Sequence, residues 1–283
     1  MKIAITGAGG QLGRELTTSL ARLGCSVLPF SRDEWDITDA YSTAERMKEV
    51  APEVLINAAA FTAVDLCETQ REEAFLINAI APFYLAREAK RLQARFIHIS
   101  TDYVFSGDQS VPWEEQDPPF PLNAYGESKR AGETLAMAAN PDTLIIRTSW
   151  LYGHGGKNFV NTIARLLQTE SKLEVVSDQM GSPTYAKDLA EAVYFLLEQA
   201  PGIYHVSNGG SCSWFEFAKE IAVFLKSGAE IEPVSTEAYG LPARRPPYSV
   251  LNNKKLNGCG FFMRNWKDAL YDYLAKEAES DAN

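Results

Sequence analysis

Lys2-Ile3-Ala4-Ile5-Thr6-Gly7-Ala8-Gly9-Gly10-Gln11-Leu12-Gly13 joins a short β-branched run to the first turn of a helical pattern through a cluster of glycines. Glycines at 7, 10 and 13 permit a tight turn, close approach of a pyrophosphate to the backbone, and close packing of the following helix on its strand. Gly9 leaves both Gly-x-x-Gly-x-x-Gly and the commoner Gly-x-Gly-x-x-Gly readings open. The pattern alone is weak, but its place between a strand and a helix turns it toward nucleotide binding.

Reading outward, helix Gln11–Leu23 and strand Cys25–Phe30 complete a βαβ opening, and the alternation continues. A helix is expected near 40–50, a strand at 54–57, a helix from about 72 to 92, a strand at 95–100, a helix from about 123 to 138 and a strand at 143–148. The strands are continuous apolar runs, which suit a parallel sheet covered on both faces. After about Trp150 the texture changes. Helices are expected over 158–168, 186–198, 213–226 and 265–276, with strands at 173–176 and 203–206 and an extended, proline-rich segment from Leu241 to Tyr248. Ser213 with Glu216 reads as a capping box, and Glu279 to Asn283 are expected to fray. The expected fold is α/β: a Rossmann-like doubly wound parallel sheet in residues 1–150 and a smaller C-terminal α/β lobe in 151–283, with later segments free to return to the sheet.

Composition excludes several classes. A formal charge of −10 argues against a nucleic-acid binder. No apolar stretch approaches the ~20 residues of a membrane span, and the first residues run into a strand pattern, so a soluble, unprocessed, cytoplasmic chain is expected. Cys25, Cys67, Cys212 and Cys259 lack any Cys-x-x-Cys spacing, and His98, His154 and His205 form no readable metal or triad set.

The chemistry lies at two further places. Ser100-Thr101-Asp102-Tyr103-Val104-Phe105 follows a strand, so it falls at the carboxyl edge of the sheet where doubly wound folds bind ligands. There Thr101 can polarise a carbonyl and Asp102 can meet a sugar hydroxyl. Tyr125-Gly126-Glu127-Ser128-Lys129 places a lysine one helical turn after a tyrosine. An ammonium beside a phenol favours its ionised form, which is expected to bring Tyr125 toward the working range of a proton donor. Asn57-Ala58-Ala59-Ala60 ends a strand with small residues that let a cofactor lie close. At the end of the second strand stands Phe30-Ser31-Arg32 instead of an acid, which turns the expectation toward NADPH over NADH; Asp36 and Ile37 would flank the adenine. Arg32 in a solvated acidic loop is the plain alternative.

On these motifs, together with Phe61-Thr62-Ala63-Val64-Asp65, Arg147-Thr148-Ser149-Trp150, Asp178-Gln179-Met180-Gly181-Ser182-Pro183-Thr184 and Arg244-Arg245-Pro246, the chain resembles the extended short-chain dehydrogenase/reductase family. Within it the chain is similar to the dTDP-4-dehydrorhamnose reductases. The resemblance implies NAD(P)H-dependent reduction of the 4-keto group of dTDP-4-dehydro-β-L-rhamnose, with Tyr125 as proton donor beside Lys129 and Thr101. It implies cofactor contacts at Gly7, Gly10, Gln11, Leu12, Gly13, Arg32, Asp36, Ile37, Ala58, Ala60, Thr62, Ser100, Tyr125 and Lys129, and substrate contacts at Thr101, Asp102, Val64, Trp150, Gly181, Ser182 and Arg245. No metal is implied, and a homodimer is compatible with it. Trp150 has a second reading as a core aromatic, and Arg244 and Arg245 a second reading as surface charges beside prolines. An epimerase or dehydratase on the same scaffold, or a non-catalytic regulatory subunit, are the competing readings. Tyr103 after Thr101-Asp102 opposes a dehydratase, and the intact Thr101, Tyr125 and Lys129 favour catalysis.

Overall fold

The structure is a computed structural model and describes residues 1–281. Its first half runs β1 (Lys2–Thr6), α1 (Gln11–Arg22), β2 (Ser26–Phe30), α2 (Ala40–Val50), β3 (Val54–Asn57), α3 (Val64–Thr69), α4 (Arg71–Phe75), a π turn (Leu76–Ile80), α5 (Ala81–Arg91), β4 (Arg95–Thr101), α6 (Ala124–Ala139) and β5 (Leu144–Thr148). The second half runs β6 (Leu151–Tyr152), α7 (Phe159–Thr169), β7 (Lys172–Val176), β8 (Met180–Gly181), β9 (Thr184–Tyr185), α8 (Ala186–Leu196), β10 (Gly202–His205), β11 (Cys212–Ser213), α9 (Trp214–Leu225), β12 (Glu230–Val234), α10 (Thr236–Tyr239), α11 (Lys254–Gly258) and α12 (Trp266–Asp281). Residues 282–283, where the expected fray would end, lie outside the described residues, and α12 continues through Glu279 to Asp281.

A six-stranded sheet in the order β2-β1-β3-β4-β5-β10, parallel at every pairing, forms the centre. Alternation along β1 shows why both faces are covered. Ile3 and Ile5 pack with Leu16 and Leu20 of α1 and Leu189 and Val193 of α8, whereas Ala4 packs on the opposite side with Met47 of α2 and Leu85 and Ala89 of α5. The chain order reverses between β1 and β3, which opens a crevice at the carboxyl ends of the strands. Residues 186–206 return to the sheet through α8 and β10.

A separate core of Tyr152, Ile163, Leu173, Phe217, Trp266 and Leu270 holds the remaining C-terminal elements together. There β7 pairs with β12, a strand the sequence pattern did not announce. The Ser213–Glu216 capping box forms with both of its hydrogen bonds. The expected single helix over 72–92 is interrupted by the π turn at Leu76–Ile80. Its reason is a close crossing: a Cβ on Gly132 of α6 would lie 2.0 Å from the Asn78 carbonyl oxygen. The Asn78 side chain bonds both the N–H (2.8 Å) and the carbonyl (3.0 Å) of Phe61, tying the loop after β3 to this crossing.

Candidate functional site

A cleft of about 750 Å³ lies at the carboxyl ends of β1, β3, β4 and β5. Its floor is the glycine turn. Gly7 has φ +73, and a Cβ there would lie 2.5 Å from the Ala59 nitrogen; a Cβ on Gly13 would lie 2.2 Å from the Gly7 carbonyl oxygen. Only glycine fits these two positions, one for its left-handed backbone and both for contact. Gly9 has nothing within 4 Å of its Cβ position, so the turn is tight beneath and open above. Helix α1 begins there with no side-chain cap and no acidic residue in its first turn. Its free amides and dipole suit a pyrophosphate.

Around this floor the structure gathers every residue expected to bind a cofactor: Gly7, Gly10, Gln11, Leu12 and Gly13, then Arg32, Asp36 and Ile37, then Ala58, Ala60 and Thr62, with Ser100, Tyr125 and Lys129. Their side chains differ in availability. Arg32 is exposed, with only a 3.7 Å contact to Glu73. Ser31 instead donates its hydroxyl to Glu34 (2.7 Å), and Asp36 accepts from the backbone and hydroxyl of Thr38. Ser100 donates to buried Glu133 at 2.6 Å, so its hydroxyl is already committed.

The reacting end combines β4 and α6. Asn123 caps α6 by accepting from Gly126 N–H at 2.8 Å, and Tyr125 and Lys129 follow on one face. Lys129 is buried, donates to the Ile99 carbonyl at 2.6 Å, and is brought down to about 8 by burial. Burial also pushes the Tyr125 phenol above its usual range, against the opposing hydrogen bond of Thr101. The expected downward pull of Lys129 on Tyr125 is therefore absent: the ammonium is turned to a backbone carbonyl, and desolvation governs the phenol. Beside the phenol, Thr101 Oγ1 lies 3.0 Å from Asp102 Oδ1 and accepts from Tyr103 N–H at 3.1 Å.

The residues expected to meet substrate divide. Thr101, Asp102 and Trp150 line the cleft; Val64, Gly181, Ser182 and Arg245 do not. Arg245 is held by Asp65 through two hydrogen bonds (3.1 and 2.8 Å), so it fastens the proline-rich segment to α3 and is not free for a diphosphate. Ser182 is buried, donating to Gly210 and accepting from Ser149 through its carbonyl. Gly181 acts at one remove: a Cβ there would lie 2.3 Å from the Trp150 indole. That indole, on a residue with φ +46, stacks on Trp214 with centroids 3.5 Å apart. His98 is a core residue bonded to Asn57, and burial holds it well below the usual histidine range.

Sequence reasoning missed the wall formed by Gly155, Gly156 and Lys157. Gln11 binds it by donating to the Lys157 carbonyl (3.0 Å) and accepting from Asn158 (3.0 Å). The flexible glycine composition of that loop gave no sign of its partner across the chain.

The doubly wound sheet, the glycine cradle and the Thr101–Tyr125–Lys129 cluster define a Rossmann-like α/β protein of the short-chain dehydrogenase/reductase class. Over residues 1–279 the chain matches the model of the RmlD substrate binding domain, and it belongs to that family. It is 48% identical over 281 residues to the spore coat polysaccharide biosynthesis protein SpsK of Bacillus subtilis (strain 168), covering 99% of both chains. A crystal structure of a dTDP-4-dehydrorhamnose reductase from Clostridium acetobutylicum superposes with a TM-score of 0.96 at 42% identity, covering 98% of this chain and 100% of the other. A dTDP-4-dehydrorhamnose reductase from Bacillus anthracis, solved in complex with NADP, superposes with a TM-score of 0.95 at 41% identity, covering 98% and 100%.

Proposed function

We propose that this chain reduces the 4-keto group of dTDP-4-dehydro-β-L-rhamnose to give dTDP-β-L-rhamnose, with NADPH as the preferred reductant. The observation that carries this reading is the meeting of the Thr101 hydroxyl, the Tyr125 phenol and the Lys129 ammonium in one cleft with the glycine cradle. The cradle fits a dinucleotide, because its floor is closed to any Cβ while its upper side and the α1 amides are open. Exposed Arg32 at the end of β2 suits a 2′-phosphate.

When bound, the reduced nicotinamide supplies the hydride. The chain's own residues do the rest. Thr101 and Tyr125 orient the ketone oxygen, and Tyr125 gives its phenolic proton to the forming alkoxide. Lys129, anchored on Ile99, presents its remaining donors to the nicotinamide ribose. Trp150, backed by Trp214, walls the sugar-nucleotide side. Among the described residues no helix is long and apolar enough to cross a membrane. The test is a coupled assay that supplies the 4-keto sugar nucleotide with NADPH or NADH and identifies the product. Stereospecific formation of the 4-hydroxy sugar with stoichiometric cofactor oxidation is expected; epimer formation without net oxidation would replace this reading with an epimerase.

A further inference from the structure

Asp102 is 2% exposed, its Oδ2 is buried with no hydrogen-bond partner, and among the described residues no cation lies within ion-pair distance of it. The groups that face it are hydroxyls and phenols: Thr101 and Ser249, then Tyr103 on its own turn and Tyr125 on α6. Arg245 and Asp65, which act on Tyr103, are paired with each other, and Lys129 in the same cleft donates to the Ile99 carbonyl. The Ser249 and Thr101 hydroxyls and the backbone N–H groups of Asp102 and Tyr103 favour the ionised form, but burial without any cation outweighs them, and the neutral acid avoids the cost of a desolvated carboxylate.

Hydrogen-bond capacity at Thr101 gives the protonation state a consequence. A threonine hydroxyl has one proton and accepts two bonds. Tyr103 N–H takes one acceptor place. If Asp102 is ionised, Thr101 must spend its only proton on Oδ1, 3.0 Å away. If Asp102 is neutral, the same contact runs from carboxyl to hydroxyl, and the Thr101 proton is released into the cleft, where it serves the ketone oxygen while substrate is bound and the Tyr125 phenolate after that oxygen has been protonated.

We propose that Asp102 works as a neutral carboxylic acid that turns the Thr101 hydroxyl toward Tyr125 and, through it, returns a proton to the phenolate left after each turnover. This rests on the reductase reading above. The transfer balances: the Tyr125 O–H bond breaks as the alkoxide takes its proton, Thr101 gives its proton to the phenolate and takes one from Asp102, and the resulting carboxylate regains a proton from water when product leaves. Burial places Asp102 at about 7, so the neutral form is populated near neutral pH. Asp102 acts through Thr101 and is a positioning and relay residue.

The experiment pairs kinetics with spectroscopy. In Asp102→Asn the amide still donates to Thr101 but has no transferable proton. Expected are a fall in kcat of about 100-fold, within the range of acid–base contributions, an unchanged KM for the sugar nucleotide, and loss of the wild-type decline in kcat above about pH 7. Wild-type kcat and pH profile in the variant overturn the relay, as does a raised KM with kcat intact, which marks a direct sugar contact. Difference infrared spectra of the free wild-type protein should carry a protonated-carboxyl band near neutral pH that Asp102→Asn lacks. A carboxylate already ionised at mildly acidic pH overturns the proposal whether or not the variant folds. Since the spectra need no substrate, a wild type that reduces nothing sinks the reductase reading separately.

Discussion

Ser100 and Thr101 are consecutive on β4, so their side chains leave opposite faces of the sheet. Each contacts a buried carboxyl, Ser100 on Glu133 at 2.6 Å and Thr101 on Asp102 at 3.0 Å. There the likeness ends. Glu133 is 0% exposed but is gripped by Arg147 through two bonds of 2.8 Å, with Arg130 at 3.2 Å, and these keep it below the usual carboxylate range against its burial. Asp102 has hydroxyls and no cation, and burial raises it to about 7. Burial therefore does not decide the charge of a carboxyl; its partners do. One side of β4 carries a fixed ion pair that joins α6 to β5, and the other carries a group able to exchange a proton beside the cleft.

The sharpest way to separate the two sides is to remove chemistry without disturbing packing. Tyr125→Phe deletes only the phenolic oxygen on the cleft side. We expect kcat to fall by about 10²–10⁴-fold, the range for loss of a positioned acid, with cofactor affinity and unfolding midpoint near wild type. Steady-state kinetics and cofactor titration check it, and turnover equal to wild type would remove Tyr125 as the acid.

The opposite break falls on the structural side. Glu133→Gln retains an acceptor for Ser100 but leaves the Arg147 guanidinium, 1% exposed, without its counter-charge. Removing one partner of a buried pair costs about 3–5 kcal/mol. Urea unfolding at neutral pH should show a loss of that size. A loss below ~1 kcal/mol would mean that His205 and the Phe105 ring, which also approach Arg147, suffice to hold it.

How much of this was legible in the sequence follows from the range of the interactions. The glycine turn, the strand ends and the Tyr125–Lys129 spacing are local patterns, and local sterics and helical period are enough to place them on one crevice. Arg245 looked like a substrate contact because nothing nearby in sequence reveals Asp65, 180 residues away, as its partner. The same blindness hid the Gly155–Lys157 wall, the β7–β12 pairing and the Glu133–Arg147 pair. The π turn was invisible for another reason: hydrophobic period continues through Leu76–Ile80, and only the close approach of Gly132 demands the extra residue per turn. Lys129 was read correctly in position and wrongly in effect, since spacing does not tell which acceptor an ammonium chooses.

A finer discrimination uses pH, because the two carboxyls bias stability with opposite sign. Asp102 has a folded value above its unfolded one, so the folded protein binds this proton more tightly. Its stabilising contribution is complete below about 3.8 and is lost as pH rises toward about 7. Glu133 is depressed, so its contribution is present above the ordinary carboxylate range and is lost as pH falls through and below it. Asp102→Asn should therefore gain on wild type in unfolding free energy as pH rises from about 4 to about 7, by at most about 4 kcal/mol at ~1.4 kcal/mol per unit. Glu133→Gln should instead fall further behind wild type with rising pH across the carboxylate range. Denaturant unfolding of the three proteins at a series of pH values reads both slopes. If both variants diverge from wild type in the same direction, the two carboxyls share one charge state, and the division between the faces of β4 does not hold.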